Sequence, residues 1–172
     1  AYCAKQFAAW GLEVVTAEPP GGSPLRQTHA TVEDIASAPV PLVWEYIGAG
    51  KQSVIFDVRD EDSARNLKEL LTEADVFVTD WPLERLEQVG LGFEDLSNTV
   101  PGLVVVSLTP FGAKGPYAHL QATDLIIQAL SGFLSLNGEA DGPPLKAPAN
   151  IVPYACGLSA FIGAMAALRW RD

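Results

Sequence analysis

"SVIFDVRDEDSARNLKELLTEADVFVTD", residues 53–80, decides the fold class. It opens on an apolar run suited to a strand, "SVIFDV". It continues as "SARNLKELLTEA", whose Leu67, Leu70 and Leu71 fall on one face of a helix, and closes on a second apolar run, "DVFVTD". Strand, helix and strand in this order predict a βαβ unit. A second unit follows in the same rhythm: a helix over "LERLEQVG", a short helix over "FEDLSN" and the strongly apolar strand "LVVVSL" from Leu103 to Leu108. Strands this apolar, separated by crossover helices, predict a mostly parallel sheet with helices on both faces. The expected architecture is α/β and Rossmann-like.

Toward the N-terminus, "AYCAKQFAAWG" reads as a helix stopped by Gly11, and "LEVVTAE" as a buried strand ending at Glu18. The two prolines and two glycines of "PPGGSPLR", Pro19 to Arg26, make a loop. His29 to Ala49 shows no clear period, although "LVWEYIG" suits a short helix packing Trp44 and Tyr46. Toward the C-terminus come the loop "TPFGAKGPYAH", a helix over "TDLIIQALSGF" capped by Thr123 or Asp124, the loop "NGEADGPPLKAP" and a closing helix from Pro153 to Trp170. There is no internal repeat.

A chain of 172 residues is one domain by length, and 48 % hydrophobic against 19 % charged residues is the balance of a folded globular protein. The longest apolar run, Ala155 to Leu168, has 14 residues, short of the roughly 18–20 that cross a bilayer, so a buried helix and no membrane span are expected. A net charge of −10 repels nucleic acid and anionic membranes, and an anionic ligand therefore needs a local basic pocket. Two cysteines, Cys3 and Cys156, and two histidines, His29 and His119, support neither a disulfide framework nor a metal site. A reducing cytoplasm is the expected location. The chain has no initiator Met and begins inside a helix, as a fragment of a longer protein would.

Motifs for common nucleotide chemistry fail. "GAGKQS", Gly48 to Ser53, resembles a phosphate loop, but the pattern needs Gly where Glu45 stands, Ser or Thr where Gln52 stands, and a helix where a strand is predicted. There is no G-x-G-x-x-G, no serine elbow and no H-E-x-x-H, so neither nicotinamide nor flavin chemistry is indicated.

A series of phrases does match in order: "YCAKQFAAWGLEVVTAEPPGGSPLR", "GKQSVIFDV", "ADVFVTDWPLERLEQVGLGFEDL", "LVVVSLTPFGAKGPYA", "DLIIQALSGFLSLNGEADGPPLK" and "ANIVPYACGLSAFIGAMAAL". Together they resemble the N-terminal part of a family III CoA-transferase, the group of formyl-CoA transferase, carnitine CoA-transferase and 2-methylacyl-CoA racemase. The resemblance implies that residues 1–172 are the N-terminal segment of a large domain, with the first strand and the small domain missing, from a fold in which two chains interlock as a dimer. It implies a CoA thioester as substrate, and a partner that is a second identical chain or another family copy. In the family an aspartate attacks the thioester to give a mixed anhydride and then an aspartyl-CoA thioester, chemistry that requires a carboxylate nucleophile. A helix N-terminus suits that carboxylate because the dipole keeps it ionised.

Carried over by position, Arg26 in "GGSPLR" matches the arginine that the family uses near CoA, and Lys51 in "GKQSV" matches the basic residue before the third family strand; the resemblance implies both as CoA-binding. Their plain readings are a solvated arginine after a turn and a lysine ahead of a strand. Three departures follow. Pro82 in "DWPLE" stands where members carry a CoA-contacting arginine. Thr123 stands at the racemase histidine. Pro153 stands at the nucleophilic aspartate, with nothing acidic from Pro143 to Leu168 to replace it. As a residue, Pro153 is simply well suited to a first helical turn, where its missing N–H costs nothing. His119 reads as a loop histidine, and Trp10, Trp44 and Trp81 as core or rim packing. Three functions are left open. The segment is a degenerate, non-catalytic copy within a CoA-transferase; or an active CoA-transferase with its nucleophile supplied elsewhere; or a non-enzymatic Rossmann-like binding or scaffold domain.

Overall fold

The computed structural model describes residues 1–27, 31–33, 39–57 and 59–172, so His29 lies outside the described residues. In chain order the helices are α1 (Tyr2–Ala9), α2 (Leu42–Gly48), α3 (Glu61–Thr72), α4 (Leu83–Gln88), α5 (Phe93–Thr99), α6 (Asp124–Leu130) and α7 (Ile151–Arg171). The strands are β1 (Val15–Glu18), β2 (Thr31–Glu33), β3 (Pro39–Pro41), β4 (Gln52–Ile55), β5 (Val76–Thr79) and β6 (Val104–Ser107). Single turns of 3-10 helix cover Pro24–Gln27 and Phe133–Leu136.

Parallel pairing is found as expected. β1 runs parallel to β4, with Thr16 opposite Ser53, and β5 runs parallel to β6, with Phe77 opposite Val105. The β4–α3–β5 sequence is present, but its two strands belong to different ladders, so α3 carries the chain from one parallel pair to the other. The β2–β3 pair is a short antiparallel ladder within the stretch that shows no clear period.

β5 and β6 are apolar at nearly every position because they are covered on both faces. Val76, Val78, Val104 and Val106 face a cluster of Cys3, Phe7, Phe161 and Ala164, contributed by α1 and α7. Phe77, Leu103 and Val105 face the opposite way, onto Leu71, Leu86, Leu91 and Leu96 of α3, α4, the following turn and α5. The period of two along each strand sends alternate side chains to different cores. Within α3 the expected apolar face is narrower than three leucines: Leu71 is buried and Leu67 packs against the cluster, while Leu70 is exposed. The helix starts at Asp60, whose carboxylate accepts from the Asp62 N–H, with Glu61 and Asp62 placed favourably at the positive end of the dipole.

α1 and α7 cross tightly. The Phe7 and Phe161 rings meet edge to face at 4.8 Å, and Gly157 lies directly against α1. The closing helix is longer than expected and covers only one side of itself. Gly157, Phe161 and Ala164 are buried, whereas Leu158, Ile162 and Trp170 are exposed, which corrects the expectation of a buried helix. By length and composition alone α7 could cross a membrane, but its contact face is committed to α1, α6 and β6.

Candidate functional site

The register of β1 on β4 builds the site. Thr16 pairs with Ser53, and Glu18, two residues further on, points to the same face, so Thr16, Glu18 and Ser53 share one wall. Beyond β1 the turn Pro19–Ser23 reverses the chain. Gly22 takes the left-handed conformation at φ +79°, and a β-carbon there would meet the Arg26 Cδ at 2.9 Å. A glycine is needed on both counts. The turn returns Arg26 over the strand end, and α2 brings Trp44 against it.

Glu18 is buried, at 3 % exposure, and both of its oxygens are occupied. Oε2 accepts from the Ser23 N–H (2.6 Å) and from Arg26 Nε (2.8 Å), and Oε1 accepts from Arg26 Nη2 (2.8 Å) and the Ser53 hydroxyl (2.6 Å). The Arg26 hydrogen bonds lead a set that holds the Glu18 carboxyl at about 2, against the opposing effect of burial. The Arg26 guanidinium lies 3.9 Å from the Trp44 ring centroid. Glu18, Arg26, Trp44 and Ser53, with Glu45 and Lys51, line a cavity of about 260 Å³.

Lys51 enters from the turn after α2, and its Nζ donates to the Ala1 carbonyl (3.0 Å). Burial, reinforced by the charge of Lys5, lowers its ammonium to about 8. Lys5 reaches the same turn from α1, donating to the Ala49 carbonyl (3.3 Å) and lying over Tyr46. The two basic residues expected to meet a ligand, Arg26 and Lys51, are therefore brought to one cavity. Glu18, Ser53 and Lys5, and the placement of Trp44 in the cavity lining, were not among the expected site residues. Their only sequence signal was the alternation along the two strands and the Gly-rich turn between Glu18 and Arg26.

The second region of interest is the start of α7. Asn150 is its N-cap and Pro153 its third residue, exposed, in the turn whose N–H groups have no partner within the helix. The Val152 N–H is satisfied by Asp124 of α6, whose Oδ1 accepts it at 2.9 Å. Asp124 was expected as a cap of its own helix. Thr123 takes that N-cap place without a side-chain bond, and Asp124 instead serves α7. The other Asp124 oxygen accepts from Gln128 and from Lys146, the latter at 3.1 Å. Burial would raise this carboxyl, and the hydrogen bonds from Val152, Lys146 and Gln128 outweigh that, leaving it below its ordinary value. Gln128 in turn accepts from the Ala147 N–H at 3.0 Å, and Lys146 also bonds the carbonyls of Ala147 and Ala149. The carboxylate at the α7 N-terminus is thus committed, through both oxygens, to anchoring the loop before α7.

Elsewhere Pro82, at which the resemblance implied an arginine in other members, is the N-cap of α4. Arg85, one turn on, stacks on Trp81 at 3.8 Å. No group of His, Cys, Asp and Glu suited to a metal occurs among the described residues.

The α/β fold thus carries, across the face of the parallel β1–β4 pair, a cavity lined by Trp44, two basic and two acidic side chains. The model of CoA-transferase family III matches residues 1–172, and the chain belongs to that family. It is 36 % identical over 149 residues to succinyl-CoA:(R)-benzylsuccinate CoA-transferase subunit BbsE of Thauera aromatica, covering 87 % of this chain and 36 % of that protein. It is 31 % identical to formyl-CoA:oxalate CoA-transferase of Streptomyces avermitilis, covering 98 % of this chain and 40 % of that one. The crystal structure of a CAIB/BAIF family protein from Brucella suis superposes with a TM-score of 0.92 at 29 % identity, over 99 % of this chain and 45 % of that one. The chain therefore spans less than half the length of these relatives.

Proposed function

We propose that residues 1–172 form the N-terminal part of the large domain of a family III CoA-transferase. In this reading they bind a CoA thioester through Arg26 and Lys51 and supply no nucleophile. The reading is carried by the start of α7, where the resemblance puts Pro153 at the aspartate position and the nearby carboxylate, Asp124, has both oxygens committed to Val152, Gln128 and Lys146. An imino-acid ring cannot form an acyl anhydride, and a carboxylate tied on both sides cannot approach a thioester without releasing its hydrogen bonds. Transfer of CoA between carboxylic acids then takes place at an aspartate of a second family copy in the same cytoplasmic assembly. The relative from Thauera is named as a subunit, which supports a paired arrangement of this kind. Retention of Arg26 and Lys51 around one cavity supports a surviving role in CoA binding.

Two measurements test the reading. Calorimetry of CoA against the full-length protein is expected to show affinity falling about tenfold in Arg26→Ala, the loss of a charge-assisted contact. Equal affinity removes Arg26 from the site. Second, the assembly is incubated with an acyl-CoA and hydroxylamine, and its peptides are mapped. Modified carboxylate is expected only outside residues 1–172. A hydroxamate at Asp124, abolished by Asp124→Asn, would make this segment an active enzyme.

A further inference from the structure

We infer that Glu18 is the positioning residue of this site: it fixes the Arg26 guanidinium over the Trp44 ring with its outer edge turned to the cavity, and does not itself meet the ligand. The inference rests on the reading of Arg26 as a CoA contact.

Glu18 gathers bonds from three separate pieces of chain, namely the Ser23 N–H in the turn, Arg26 in the 3-10 helix and Ser53 on β4. Two of these bonds, from the Ser23 N–H and the Ser53 hydroxyl, hold the carboxylate independently of Arg26, so the arginine conforms to it. The bidentate pairing consumes Nε–H and one Nη2–H of the five guanidinium donors. The remaining three have no acceptor among the described residues. The guanidinium carbon lies over the Trp44 ring and Gly22 lies against the Cδ of the stem, and the side opposite Glu18 is the direction in which those donors act. Because Glu18 balances the charge of Arg26, the arginine contributes aimed N–H donors more than net potential. Among the described residues, the cation of the cavity not tied into an ion pair is Lys51, with Lys5 behind it, and Glu45 stands in the same lining. An ordinary surface ion pair would have both partners solvated. Here both line the cavity, but the acid is 3 % exposed with both oxygens occupied, while the base is 41 % exposed.

The test is a double-mutant cycle read by calorimetry with coenzyme A on the full-length protein. Glu18→Gln is expected to weaken CoA binding about fivefold to tenfold in the wild-type background, since the neutral amide accepts fewer charge-assisted bonds. In the Arg26→Ala background it is expected to change affinity less than about twofold. Ser53→Ala, which removes one anchor of Glu18 and keeps the ion pair, is expected to weaken binding about twofold to threefold and to show the same dependence on Arg26. This variant carries the test if Glu18→Gln fails to fold. Unchanged or tighter binding by Glu18→Gln overturns the assignment. So does an equal loss with and without Arg26, which would mean that Glu18 only supports the fold. Equal CoA affinity of wild type and Arg26→Ala is a separate result: it overturns the CoA reading of Arg26 first, and the role of Glu18 with it.

Discussion

Lys51 and Glu18 sit at the same cavity and titrate in opposite senses. The Lys51 ammonium is pushed down to about 8, first by burial and then by Lys5, with the Cys3 thiol nearby acting weakly the other way. Between about 8 and its ordinary value near 10.5 the unfolded chain holds this proton and the folded chain does not. The stability cost of keeping Lys51 charged is therefore full below about pH 8 and is relieved as pH rises through that window. Ligand binding follows the charge itself. CoA affinity is expected to fall several-fold between about pH 7 and 9 as Lys51 becomes neutral, while Arg26 stays protonated. Lys51→Met should bind more weakly at about pH 7 and lose that pH dependence. Calorimetry at matched ionic strength checks this, and a wild-type affinity that is flat across the range removes Lys51 from the site. Glu18 works at the other end: its folded value of about 2 against an ordinary 4.5 means that its stabilising contribution is complete above about 4.5 and is lost as pH falls toward 2. Of these residues the sequence announced Arg26 and Lys51 through the phrases around them. Glu18 read only as the last residue of a strand, and Trp44 as packing. Their placement at the cavity depends on the β1–β4 register and on the return of the Pro19–Ser23 turn, which no local pattern encodes.

Among the elements, the α1–α7 crossing sets how closely helices can cover the sheet. A β-carbon on Gly157 would lie 2.9 Å from both the Cys3 amide nitrogen and the Tyr2 Cβ, and the former is backbone that moves only if α1 moves. Gly157→Ala is expected to destabilise by about 1–3 kcal/mol through overpacking, although alanine is the better helix former. At Gly163, six residues on, an added β-carbon would meet nothing within 4 Å, so Gly163→Ala should be neutral or stabilise by up to about 1 kcal/mol. Thermal unfolding of the two variants side by side separates packing from propensity, and a stabilised Gly157→Ala would show that the crossing has slack. The existence of these helices was legible from apolar period and turn residues, and α2 falls on the very residues expected, Leu42–Gly48. What could not be read was which partner each face takes. The same small, apolar run that looked fully buried, Ala155 to Leu168, covers α1 with Gly157, Phe161 and Ala164 and turns Leu158 and Ile162 outward. Composition along a helix gives its hydrophobicity, whereas burial depends on how many elements surround it.

At the scale of the molecule, the two parallel ladders were legible as strands but not as separate pairs. Strand order is a long-range property, and the run from Ser53 to Asp80 is equally compatible with neighbouring strands and with a crossover that skips between ladders. The same scale shows where this chain is incompletely covered. α6, the 3-10 turn after it and α7 adjoin one another and expose Leu125, Leu130, Leu136, Leu158 and Ile162, with Leu130 at 69 % and Leu136 at 83 %. Monomeric soluble proteins seldom leave such an apolar surface in water, and a net charge of −10 spread over the rest of the molecule does nothing to solvate it. Residues 1–172 expressed alone are therefore expected to bind an apolar fluorescent dye strongly and to elute from size exclusion larger than a monomer of 18.3 kDa. Leu136→Lys combined with Ile162→Lys should reduce both signals severalfold with little change in far-ultraviolet circular dichroism, because neither side chain belongs to a buried cluster. A clean monomer without dye binding in the unsubstituted chain would mean that these leucines are accommodated singly, as ordinary exposed apolar residues are.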